Sequence, residues 1–431
     1  MANGTIKVGL IGFGTVGGGV YRLLTEKNAK LSERIGARLE VKRVCVKNGS
    51  KKRPVDIPKE LLSTDFREII SDPEIDIVVE AIGGTTDAKK IFDESIAKGK
   101  HIVTANKALL AENGFDIFRK AKEKNVLIGF EASVCAAVPI IKVLRESLVA
   151  NDIQFVHAIV NGTCNYILTR MSEDGMDFAQ ALKLAQEKGF AEADPRLDVD
   201  GSDSAHKLVL LALTAFGAHI TEKDILKEGI TQITKRDIEY AKELGYTIKL
   251  LAILRNHGGR LEARVHPTLL PKDHMLADIR NEFNAIQVKG DACGSLLFSG
   301  KGAGMMPTAS AMVSDIVEIA KKIARHAVRS ESIKFDSMRL EGLNEMETRH
   351  YLRFTVVDVP GVMAKISKTL GDSGISIASI IQKERYGEGE VVPVVLTTHA
   401  ASEKKIGEAL RQIDRLDCIK AKTFRIRMIE S

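Results

Sequence analysis

The sequence predicts an α/β protein with a doubly wound parallel sheet at its amino end, an α+β middle and a small α+β domain at its carboxyl end. Three observations predict this. Short apolar β-type runs alternate with helical patterns from Thr5 to about Val134, a glycine turn joins the first run to a helix, and residues 351–427 alternate strand, helix, strand, strand, helix, strand. Strands joined by helical crossovers make parallel sheets, and the carboxyl-terminal order is that of a ferredoxin-like unit.

The 431 residues suffice for two to four domains with cores of their own, and three are expected. The net charge of +6 comes from 63 basic and 57 acidic residues spread along the chain, with no aromatic-plus-basic module, so no nucleic-acid partner is expected. Cys45, Cys135, Cys164, Cys293 and Cys418 are scattered and never form a Cys-x-x-Cys pair, which suggests reduced thiols and a cytoplasmic protein. No apolar run approaches a membrane span, and the amino terminus enters a strand and glycine turn instead of a signal peptide.

The opening TIKVGLIGFGTVGGGVYRLL reads as strand, turn, helix, a Rossmann-type unit. Gly12 permits the turn, Gly14 lets a pyrophosphate approach the backbone, Gly17 allows close packing, and the helix amino end supplies N–H groups. LEVKRVCV, IDIVVEAIGG, HIVTANKALLA and VLIGFEASV follow as strands, with helices such as DAKKIFDESIAKG and FDIFRKAKEKN between them. Ligands sit at the carboxyl ends of such strands, so Gly83, Thr104, Asn106, Lys107 and Glu131 are expected around one crevice. After the second strand, Lys47, Lys51, Lys52 and Arg53 stand where an enzyme using NAD places an acid. That favours NADP, with NAD use open.

Past about residue 150 the runs DIQFVHAIV, YTIKLLAILR, RLEARVHPTLL, NAIQVKG and SLLFSG suggest a separate mixed sheet, with helices near 177–188 and 203–216. GKGAGMMPTASAMVSDIVEIAKKIARHAV supplies a second glycine loop and a helix returning to the first domain, with Pro307 suited to the first helical turn. The expected organisation is a nucleotide domain of residues 1–135 plus the helix at about 306–328, a substrate-binding and dimerisation domain of 136–305, a linker of 329–349 and a regulatory domain of 350–431.

The segment EADPRLDVDGSDSAHKL sets five acids and one lysine before the apolar run LVLLALTAFG. On a helix starting near Ser202, Asp203 and Lys207 share a face. A lysine near a helix amino end opposes the helix dipole, and partial burial lowers its pKa unless an anion offsets it. Two readings stand: a functional lysine paired with Asp203, or an exposed ion pair worth a few tenths of a kcal/mol. Glu192 and Asp198 lie in a loop suited to holding a substrate ammonium, Asp200 is placed to cap the helix, and Asp194 to shape the turn.

GFGTVG, TANKALLA, EASV followed by Pro139, VNGTCNYIL, GFAEADPRLDVDGSDSAHKL and GAGMMPTASAMVSDIVEIA stand in the order of the homoserine dehydrogenases, which residues 5–325 resemble closely. Residues 351–427, with the turn at Asp358, Pro360 and Gly361, resemble an ACT domain, an amino-acid-binding module that works in pairs. The resemblance implies a Rossmann-type doubly wound sheet, an α+β substrate/dimerisation domain and a C-terminal ferredoxin-like ACT domain. It implies reversible hydride transfer between NAD(P)H and aspartate 4-semialdehyde, giving homoserine for threonine, methionine and isoleucine biosynthesis. It also implies feedback regulation by threonine and a homo-oligomer, dimer or tetramer.

Carried over by residue, Lys207, Lys107 and Asp203 fall on catalytic positions, and Glu192, Asp198, Gly162 and Thr163 on substrate-binding ones. Gly12, Gly14, Thr15, Val16, Gly17, Lys47, Thr104, Lys107, Gly189 and Gly304 fall on cofactor positions. Glu131, Val134, Ala136 and Val138 fall on a site for sodium or a similar monovalent cation. Three departures stand out: Cys135-Ala136-Ala137 where glycines are common, Lys47-Asn48 where the family has arginine and aspartate, and Phe190 where tyrosine is common.

Overall fold

The computed structural model describes residues 4–48, 55–329, 338–382 and 390–429, so Gly49 to Arg53 of the basic run after the second strand lie outside the described residues. Packing divides the chain into two units: Met1–Ile153 with His206–Glu222 and Phe283–Met338, and Gln154–Ala205 with Lys223–Glu282 and Arg339–Ser431. Among the described residues no helix is long and apolar enough to cross a membrane.

The first unit is built on a six-stranded parallel sheet. Its spatial order is Leu62–Ser63, Arg38–Cys45, Thr5–Ile11, Ile77–Glu80, His101–Thr104 and Ile128–Gly129, so the strand order reverses beside Thr5–Ile11. The central strands are buried on both faces, which explains why they read as unbroken apolar runs. Val8, Leu10, Val20, Leu24, Ile77, Val79 and Val103 share one core with Met312 and Ile316 of the helix Met305–Ala324. An antiparallel hairpin, Phe283–Gly290 with Gly294–Lys301, completes the described strands of this unit.

Two strand expectations fail here. HIVTANKALLA is strand only over His101–Thr104 and helix from Lys107, because Asn106 turns the chain and its side chain accepts the Leu109 N–H. VLIGFEASV keeps strand only at Ile128–Gly129, since the Glu131 N–H is taken by the Asp315 carboxylate and Ala132–Cys135 is helical. An apolar run buried in either conformation does not report which one it adopts.

His101 ends up inside this unit with its Nδ1 accepting the Leu127 N–H, and burial lowers its pKa from 6.5 to about 4. The unfolded chain takes up this proton near 6.5 while the fold holds the ring neutral. Stability from this site is therefore complete above 6.5 and is lost as pH falls toward 4, by on the order of 3 kcal/mol. Urea melts at stepped pH should show this slope. In His101→Asn, whose amide oxygen can replace Nδ1, the slope should flatten.

In the second unit Ile153–Ile159 and Arg260–Pro271 pair antiparallel with Tyr246–Asn256 from either side. The last strand, Ile419–Met428, continues the sheet by running parallel to Arg260–Pro271, with Thr268 opposite Arg427. Glu347–Val357, Val391–Thr398 and Ile377–Ile381 then follow in that order. With helices Val362–Asp372 and Glu403–Ile413 these four strands make the ferredoxin-like order, the last beside the first. Alternation on Glu347–Val357 serves two masters: Leu352, Phe354 and Val356 enter the module's core, while Tyr351 and Arg353 bond the buried Asp237.

The stretch 329–349, expected as a linker, has regular structure where it is described; 330–337 lie outside the described residues. Arg339–Leu340 pairs parallel with Arg260–Leu261, and the module's first strand already begins at Glu347. Two-residue pairing leaves no periodicity in a charged sequence, which is why it reads as loop.

Candidate active site

In the first unit the glycine turn differs from glycine to glycine. Gly12 has φ +99, and a Cβ there would lie 2.5 Å from the Ala81 carbonyl oxygen. A Cβ on Gly17 would lie 2.0 Å from the Gly12 oxygen, whereas Gly14 faces open space. The helix Thr15–Glu26 starts at Gly14 without a side-chain cap, so its first N–H groups and the positive end of its dipole are offered to an anion. Lys47, past the end of the second strand, is exposed.

The neighbouring strand ends are organised by Glu80, a residue the sequence reading passed over. Its buried carboxylate accepts the Ile82 and Gly83 N–H groups with one oxygen and the Thr104 hydroxyl, at 2.6 Å, with the other. Thr104 Oγ1 accepts the Asn106 N–H, and the Asn106 amide donates to the Gly84 carbonyl. Ser133 Oγ donates to the Thr104 carbonyl, which ties the turn after Glu131 to the same place. An acid at the end of an apolar strand, three residues before the glycine pair at 83–84, was the available signal. Lys107, half buried, is the first residue of the helix Lys107–Glu123, where a cation opposes the dipole. Gly304, φ +117, caps the helix Met305–Ala324.

Glu131 is 2 % exposed, and its carboxylate accepts the Ile141 and Lys142 N–H groups at 2.8 and 2.9 Å. Burial nevertheless raises its pKa to about 7, and burial raises that of Asp315 to about 6 against the pull of Lys142. Ala136, where the resembling family has glycine, adopts φ +42, so the turn keeps a glycine-like path at the cost of strain. The Val138 carbonyl accepts the Ile140 N–H. Carbonyl oxygens of such a turn beside a buried acid are hard donors and suit a small cation.

In the second unit the organiser is Asn161, also missed although it lies in the quoted run VNGTCNYIL. Its amide nitrogen donates to Asp198 Oδ1 at 2.8 Å and to Asp203 Oδ2 at 2.9 Å, while its oxygen caps the helix Gly162–Glu173. An asparagine before a helix is a capping signal, but its second role needs the fold. Thr163 donates to the Phe190 carbonyl at 2.6 Å, beside Gly189 at φ +74. Gly162, Thr163, Asp198 and Asp203 thus converge. Glu192 is exposed on the following loop, whose backbone carbonyl is held by Gln186. Asp200 accepts the N–H of Ser202, the first helical residue, from one place before the cap position Gly201, and Asp194 pairs with Arg196 in the turn.

The helix Ser202–Phe216 carries Asp203 and Lys207 four residues apart, 9 % and 8 % exposed. The exposed-pair reading of these two residues is therefore wrong. In the regulatory module Asp358 and Gly361 line a surface pocket with Met363 and Gln382, whose amide donates to Asp358 at 3.3 Å. Residues 383–389 beyond it lie outside the described residues.

A glycine turn at the switch point of a parallel sheet, a buried lysine–carboxylate helix and an ACT module define a nicotinamide-dependent oxidoreductase. Family models agree: the homoserine dehydrogenase NAD binding domain matches residues 12–131, homoserine dehydrogenase 139–317, and the ACT domain 350–415. The homoserine dehydrogenase of Pseudomonas aeruginosa is 41% identical over 429 residues, with 98% of each chain covered. The crystal structure of a homoserine dehydrogenase from Thiobacillus denitrificans superimposes with a TM-score of 0.92 at 40% identity, covering 99% of both chains. A hyperthermophilic archaeal homoserine dehydrogenase in complex with NADPH gives 0.61 at 26% identity, covering 73% of this chain and 97% of that one. The chain belongs to the homoserine dehydrogenase family, oxidoreductases acting on the CH–OH group of homoserine.

Proposed function

We propose that Lys207 is the acid and base of the homoserine–aspartate 4-semialdehyde interconversion, with Asp203 setting its charge and Lys107 a second lysine at the reacting oxygen. The burial of Lys207 carries this reading, because an ammonium so placed costs several kcal/mol unless it is offset and serves a purpose. When bound, the nicotinamide exchanges a hydride with the substrate carbon. Toward homoserine, Lys207 donates the proton that turns the alkoxide into a hydroxyl; in reverse its amine accepts it. Glu192 and Asp198 hold the substrate ammonium, with Gly162 and Thr163 shaping the floor.

Gly12, Gly14, Thr15, Val16 and Gly17 hold the pyrophosphate, and Thr104, Lys107, Gly189 and Gly304 complete the cofactor positions. NADP is the preferred cofactor, NAD remaining usable: Lys47 supports this, as does the NADPH in the archaeal relative. A sodium-class cation is held by Glu131, Val134, Ala136 and Val138, supported by the buried acid and the glycine-like turn at Ala136. The enzyme acts in the cytoplasm, in keeping with five cysteines that are all free thiols. It is a homo-oligomer, dimer or tetramer, with Ile380 and Val391 exposing apolar surface on the ACT module for a partner copy. For the functional domains the reading is residues 1–135 with the helix at about 306–328, then 136–305, and 350–431 after a linker.

Homoserine oxidation with NADP and NAD in parallel, with and without threonine, tests the assignment. Faster turnover with NADP and inhibition by threonine are expected, and Asp358→Ala should remove the inhibition while leaving basal turnover unchanged. Equal use of both cofactors, or threonine sensitivity that survives the change, would refute the respective part.

A thioester route through Cys135 or Cys164 is the competing chemistry. Both are buried, and the Cys164 thiol donates to the Asp198 carbonyl, a packing role. Replacing both with alanine should leave most of the activity; loss of turnover with intact folding would restore the thiol mechanism.

A further inference from the structure

We infer that the dipeptide Lys227–Glu228 is a positioning link through which the ACT module sets the amino end of the helix carrying Asp203 and Lys207. The inference rests on the reading of those two residues as the catalytic pair.

The two neighbours face opposite tasks. The Lys227 ammonium donates to the Ser202 hydroxyl at 2.6 Å, at the first residue of the helix Ser202–Phe216. The Glu228 carboxylate bridges two arginines on one face of the ACT module's last strand, Arg427 at 2.8 Å and Arg425 at 3.8 Å. Arg427 is 1 % exposed and also forks onto Glu403, the first residue of the module's helix Glu403–Ile413. Arg425 reaches Glu403 as well, at 3.0 Å.

Between these ends the backbone leaves little slack. Leu226–Lys227 pairs with Arg264–Val265, the Glu228 N–H donates to the Val265 carbonyl, and the Ile230 N–H donates to the Val199 carbonyl. A Cβ at Gly229 would lie 2.1 Å from the Val199 oxygen, so the residue that follows the dipeptide packs its backbone against the turn between Asp198 and Asp200. A shift of the last strand draws on Glu228 through its charge partners, because Arg427 is buried and parting the half-exposed Glu228 carboxylate from it leaves that charge less compensated. That movement is delivered one residue away to Ser202, next to Asp203. Such a path is a coupling only if its members act as a unit.

The test is a double-mutant cycle in the full-length enzyme with Lys227→Met and Glu228→Gln, joined by Arg425→Gln on the module's side. Each should lower kcat/KM for homoserine by about 2- to 30-fold, the range carried by such networks, with NADP affinity unchanged. The Lys227→Met, Glu228→Gln double variant should fall no further than the worse single. Multiplying effects, wild-type kcat/KM in the single variants, or a lowered melting temperature with unaltered kinetics would each overturn the link. If Lys227→Met does not fold, Ser202→Ala, which lacks only the hydroxyl, replaces it in the cycle. Wild-type turnover in Lys207→Ala would remove the catalytic reading alone, because non-additivity between 227 and 228 is measured independently of it.

Discussion

Lys207→Ala should lower the turnover of homoserine oxidation by roughly 10² to 10⁴, the contribution of a positioned acid/base, without changing NADP affinity. The fold should survive, because Asp203 keeps its hydrogen bond from Asn161 when the lysine is gone. Arginine at this position keeps a cation but cannot exchange a proton near neutral pH, so Lys207→Arg should be nearly as slow. Stopped-flow single turnovers at stepped pH would check this; a wild-type rate at any pH in either variant removes the role. Beside its burial, Lys207 stands one helical turn after a carboxylate that accepts from Asn161.

The second large effect concerns the cofactor. Gly17→Ala places a Cβ about where the Gly12 carbonyl oxygen now stands, at 2.0 Å, and neither atom belongs to a flexible side-chain end. The turn and the helix Thr15–Glu26 must separate, which displaces the N–H groups that face a pyrophosphate. A hydrogen bond to a charged group is worth about 1.5–3 kcal/mol, so the NADP dissociation constant should rise by about 10- to 100-fold while homoserine-site chemistry is unaltered. Gly14→Ala meets no protein atom within 4 Å, so any loss it causes reports contact with the cofactor itself. Tryptophan is absent from the chain, and binding is best followed by the fluorescence of NADPH. Normal affinity in Gly17→Ala would show that the turn is not the pyrophosphate seat.

Much of the candidate site was legible because its residues lie close together in the chain. The glycine spacing in GFGTVG, the strand-to-helix switch around it and the four-residue interval of Asp203 and Lys207 are each encoded within about one helical turn. Glu80 and Asn161 were not, although both lie in quoted segments. Glu80 bonds Thr104, 24 residues away, and Asn161 bonds Asp198 and Asp203, 37 and 42 residues away. A polar residue's partners across such separations have no signature in periodicity or spacing. The same holds for the segment after the described break, where Arg339–Leu340 finds its pair at Arg260–Leu261.

The sequence by itself determined the class of each domain, the parallel sheet with its glycine turn, the ferredoxin-like module and the identity of the acids and lysines available for chemistry. It did so because backbone period and glycine sterics act between near neighbours. Only the tertiary structure decided that Lys207 is buried, that Asn161 gathers Asp198 and Asp203, and that Glu228 is held by Arg425 and Arg427. Burial and charge pairing depend on which distant segments meet, and that is set by the packing of whole elements and not by any one stretch of chain.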